Sequence, residues 1–68
     1  MTMTYDEYLA ECRRRLHQQL ANDDPAEVDG YIEDEAATIK EHYNEFINGE
    51  VSKETAISNT VFCLRLNW

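Results

Sequence analysis

Asp29-Gly30, with Glu27 just upstream, is the first place where this chain's residues could do chemistry, since acids around a glycine lie at the centre of a calcium loop. With Gly30 as the sixth loop position, Glu27 and Asp29 fall on the third and fifth, both ligand positions. Pro25 then takes the first position and Ala36 the twelfth, where the loop requires a carboxylate and a bidentate glutamate. A carboxylate-bridged metal pair fares no better: it needs Glu-x-x-His on each of two helices, and Ile39 stands three residues before His42. Glu41 and Glu45 share a helical face, which reads as solvated. No metal site and no cofactor are expected.

Nucleophilic catalysis needs a base within hydrogen-bond reach of the nucleophile and a third group to orient it. His17 and His42, the only histidines, have no serine or cysteine beside them on a helical face. Cys12 and Cys63 are too far apart in sequence for a zinc knuckle or a redox pair, and both fall on or beside apolar helical faces. They are expected to remain reduced. Two glycines leave no phosphate-binding loop. These absences predict a protein without enzymatic activity.

Charge is the distinctive property. Of fourteen acidic residues, ten lie between Asp23 and Glu50, accompanied by a single lysine, Lys40. The net charge of −8 comes from this segment, since the first third is balanced and residues 51–68 are slightly basic. Such a field repels phosphates and anionic lipid headgroups and favours a basic partner. Direct nucleic-acid binding and membrane association are therefore not expected. Arg13-Arg14-Arg15 is the one basic cluster, and pairing with Glu11 or with acids of the next helix is its expected use.

Three helices are predicted, at about 5–20, 25–48 and 53–67. Thr4 and Glu7 form a capping box with Met3 able to staple onto Tyr8, and Tyr5, Leu9, Cys12, Leu16 and Leu20 make the first apolar stripe. Asp24-Pro25 starts the second helix, whose core stripe is Val28, Ile32, Ala36, Ile39, Tyr43 and Phe46, with Asn48-Gly49 as the stop. Ser52 caps the third, whose stripe is Ile57, Val61, Leu64 and Trp68. The β-forming run Thr60–Leu66 also permits a strand, but no second strand is evident to pair with it. The expected fold is all-α, a small antiparallel three-helix bundle forming one domain over residues 1–68.

On such a scaffold Glu27, Asp34, Glu41 and Glu45 line one flank of the second helix, with Tyr31 and Glu35 in the seam beside the core. Glu35 falls almost inside the apolar stripe and should reach water or a cation such as one of the arginines. This acidic face is the predicted docking surface for a basic protein, in its most specific form a nucleic-acid mimic or inhibitor. The alternative is assembly as a homodimer through Phe62, Leu66 and Trp68 of the last helix, which a chain of this size does not easily bury. Residues 1–6 show no basic stretch followed by an apolar run, and no apolar run is long enough to span a bilayer. A cytoplasmic location is expected.

Overall fold

Local signals at the helix starts survive in the computed structural model, which describes residues 2–68. In α1 (Tyr5–Gln19) the Thr4 hydroxyl accepts from the Glu7 amide at 3.2 Å and the Glu7 carboxylate accepts from the Thr4 amide at 2.9 Å. The Asp24 carboxylate accepts from the Ala26 amide at 3.0 Å and opens α2 (Pro25–Asp34). Ser52 caps α4 (Lys53–Leu66) through the Thr55 amide at 3.2 Å. The described residues are all-helical and contain no strand, so the run Thr60–Leu66 is the second half of a helix.

The expected helix 25–48 is two helices. It breaks at Glu35, between α2 and α3 (Ala36–Ile47), which makes four helices in place of three. Glu35 has φ −98° and ψ 18°, and its N–H is shared between the carbonyls of Tyr31 at 3.0 Å and Ile32 at 3.2 Å, the tightening typical of a helix end. Neither proline nor glycine stands at the break. An unbroken helix over 25–48 would run about 36 Å, longer than the 34 Å long axis of the whole molecule. Divided, both halves lie against α1. Arg13 and His17 hold Asp29 of α2, while the Met3 carbonyl just before α1 accepts from the Tyr43 hydroxyl of α3 at 2.8 Å. These contacts also show that α2 and α3 run back along α1 in the opposite direction.

The core contains Tyr8, Cys12, Leu16 and Leu20 of the first segment, Val28, Ile32, Ile39 and Tyr43 of the second, and Ala56, Ile57, Val61 and Leu64 of the third. Three expectations change. Tyr8, expected only to receive Met3, is wholly buried, whereas Tyr5 and Leu9 sit at the core margin. Ala36, at the break, is exposed because the interruption turns it off the stripe. Trp68 lies beyond α4 and is 43% exposed.

The two glycines have opposite roles and predict opposite mutational signs. Gly49 has φ +80°, the left-handed conformation that ends α3, and its N–H bonds the Phe46 carbonyl at 3.1 Å. Gly30 is an exposed position inside α2, with nothing within 4 Å of an added Cβ. Gly30→Ala should stabilise by about 1 kcal/mol and Gly49→Ala should destabilise by about 1 kcal/mol. Urea midpoints of the two variants check both signs.

Candidate functional site

The break at Glu35 divides the predicted acidic row. Glu27 and Asp34 belong to α2, Glu41 and Glu45 to α3, and all four are exposed. Burial of Val28, Ile32, Ile39 and Tyr43 orients both helices, so the carboxylates face outward on each. The row is two short segments meeting at a bend. Among the described residues no arginine or lysine lies within ion-pair distance of Glu27, Asp34 or Glu41, while His42 Nδ1 stands 3.5 Å from Glu45.

The cations are engaged elsewhere. Arg13 reaches Asp29 at 3.6 Å, and the same carboxylate oxygen lies 2.7 Å from His17 Nε2. Arg14 and Arg15 both bond Glu11, and Arg15 extends to α4, where its Nη2 donates to Glu54 at 2.9 Å. Lys40 lies over the Tyr5 ring, 4.4 Å from its centroid. Arg13 and Arg15 thus tie α1 to α2 and α4, Arg14 pairs within α1, and the outer side of α2 and α3 keeps its negative charge.

The paired acids on the other side titrate low. Hydrogen bonds from Arg14 and then Arg15 bring Glu11 down to about 2 from its ordinary 4.5, and Arg15 followed by Ser58 does the same for Glu54. A carboxylate depressed in the folded state stabilises fully above its unfolded pKa, and that contribution disappears as pH falls through the folded value. The melting temperature should therefore decline between about pH 4.5 and about pH 2. Arg15→Ala should flatten that decline in part, because it frees Glu54 while Arg14 still holds Glu11; thermal melts followed by circular dichroism across this range test it.

Glu35 and Tyr31 behave differently from expectation. Glu35 is half-buried at the bend and meets no arginine; its carboxylate accepts from the Thr38 hydroxyl at 3.4 Å. Tyr31 is not free to anchor a partner by its hydroxyl, which donates to the Leu64 carbonyl at 2.7 Å and ties α2 to α4. Its ring packs edge-on against Trp68 with centroids 5.1 Å apart. His42 lies in the seam beside the row. At 3.5 Å from Glu45 its Nδ1 is too distant for a good hydrogen bond, and this buried nitrogen has no other partner.

The pattern of apolar residues did not reveal one buried polar contact. Thr60 donates to the Ala56 carbonyl at 2.8 Å, so its oxygen accepts from the Tyr8 hydroxyl at 2.7 Å. Burial pushes Tyr8 up to about 12 and the neighbouring Cys12 thiol up to about 11. Cys12 is therefore a protonated core residue, with none of the thiolate character a nucleophile needs. Threonine at the middle of a helix, able to bond back one turn, was the available sign.

The expected self-association residues are all exposed: Phe62 at 62%, Leu66 at 68% and Trp68 at 43%. Ile47, the last residue of α3, is 45% exposed as well. No helix among the described residues is long and apolar enough to cross a membrane, and no cluster of histidine, cysteine and acidic side chains there is arranged to hold a metal. Compared with protein-family models, curated proteins and solved structures, the chain matches none.

Proposed function

We propose that this protein is a non-enzymatic binding module of the cytoplasm that docks the carboxylate-bearing outer side of α2 and α3 on a basic protein. One observation carries the reading: among the described residues no arginine or lysine lies within ion-pair distance of Glu27, Asp34 or Glu41, while Arg13, Arg14 and Arg15 are taken up by Glu11, Asp29 and Glu54. These exposed carboxylates of α2 and α3 are left without a compensating arginine. A surface of this sign raises the association rate with a cationic partner and disfavours anionic ones. The most specific form is inhibition, with the two carboxylate segments occupying a groove that otherwise holds nucleic-acid phosphates.

Capture of the partner on the immobilised full chain, repeated from low salt to about 0.5 M sodium chloride, tests the reading. Binding that falls steeply with salt and is competed by duplex DNA supports both the charge mechanism and the mimicry. Binding that falls with salt but ignores DNA supports charge docking alone. Indifference to salt overturns the proposal.

A further inference from the structure

The outer side of α4 is the other unpartnered surface, and its composition is unlike the rest of the chain. Thr55, Asn59, Phe62 and Leu66 follow one another at spacings of four, three and four, and all are exposed. The opposite side, with Ala56, Ile57, Thr60, Val61 and Leu64, is buried against the molecule's own core. Alternating steps of three and four keep one narrow seam on a helix, the spacing that lets two helices pack side by side. No residue of the seam is charged, although the chain carries −8. Ser58 and Cys63 flank it without charge, and Arg65, at its border, donates to Gln19 of its own chain at 3.3 Å.

We propose that this seam pairs with the same seam of a second copy, forming a two-fold homodimer through α4. Three features point to a copy and not to a different partner. The seam lies in the slightly basic segment, residues 51–68, away from the acids between Asp23 and Glu50, so two strongly negative chains can meet there without opposing those carboxylates. Phe62 and Leu66 supply an apolar pair one turn apart that is self-complementary across a two-fold axis. Asn59 both donates and accepts through its amide, so it can be satisfied by an identical residue; a single asparagine in such a seam selects register and a paired state. Four seam residues are far fewer than the roughly 20–30 residues per partner of a stable complex. The dimer is accordingly weak, with a dissociation constant on the order of 100 µM.

Sedimentation equilibrium of the full chain, from about 10 µM to about 1 mM, should show the mass rising from 8.0 kDa toward about twice that value. Added salt should tighten the dimer by screening repulsion between like-charged copies, the reverse of its effect on the proposed acidic docking surface. Phe62→Glu and Leu66→Glu should each raise the dissociation constant about tenfold or more. Both sites are exposed, so unchanged circular dichroism separates loss of pairing from loss of fold. Replacing Glu27 and Asp34 by their amides should leave the dimer intact, so that the two proposals fail independently. A mass of 8.0 kDa throughout, a dimer indifferent to both α4 substitutions, or a dimer that loosens with salt would overturn the inference.

Discussion

Tyr8→Ala is expected to unfold most of the chain at room temperature. Tyr8 is wholly buried, lies edge-on to Tyr43 with ring centroids 5.2 Å apart, and stacks near Phe46 at 6.4 Å. Its hydroxyl also satisfies Thr60 across the α1–α4 contact. Removing so large a buried ring costs about 3–5 kcal/mol through lost burial and the cavity left behind. A single core in a chain of this length rarely supplies more than about 3–5 kcal/mol of stability in all. Urea denaturation followed by circular dichroism should therefore show either no folded baseline or a midpoint close to zero denaturant. Tyr8→Phe keeps the ring and removes only the hydroxyl, so its cost should be about 1 kcal/mol. Tyr5→Ala is the control, since Tyr5 sits at the core margin. If Tyr8→Ala and Tyr5→Ala proved equally mild, the aromatic centre assigned to this fold would be wrong.

The second large effect is on binding. Changing Glu27, Glu41 and Glu45 to glutamine and Asp34 to asparagine removes four negative charges, taking the net charge from −8 to −4. All four residues are exposed, and three have no cationic group within ion-pair distance among the described residues. The fold should be unaffected or slightly more stable, because like-charge repulsion is relieved. The association rate with the captured basic partner should fall by about 10- to 100-fold at low salt, and the difference should shrink as salt is added. Surface plasmon resonance at two salt concentrations reads this directly. The informative comparison neutralises Asp6, Asp23 and Glu50, which lie outside the row. An equal loss there would assign the effect to total charge and remove any special place for the side formed by α2 and α3.

Those two predictions draw on different layers of information. The helix starts at Thr4, Asp24 and Ser52 were legible from single residues, because an N-cap is satisfied within one turn of chain and depends on nothing distant. The stop at Gly49 was legible for the same reason, since the left-handed conformation it adopts favours glycine. The apolar stripes placed Cys12, Leu16, Val28, Ile32, Ile39, Ile57, Val61 and Leu64 in the core, where they are found. The concentration of acid between Asp23 and Glu50 was written in the composition.

Only packing among the helices decided the rest. The break at Glu35 stands at neither proline nor glycine, and it lets two shorter helices both lie along α1 in a molecule whose long axis is 34 Å. The same break moved Ala36 to the surface and divided the carboxylate row in two. Which acids would be neutralised was equally invisible along the chain, since Arg15 reaches Glu54 thirty-nine positions away and Tyr31 reaches the Leu64 carbonyl. Local rules determine where a helix begins and which side of it is apolar. The direction it then takes, and the partners its long side chains find, depend on the volume shared by all four helices at once.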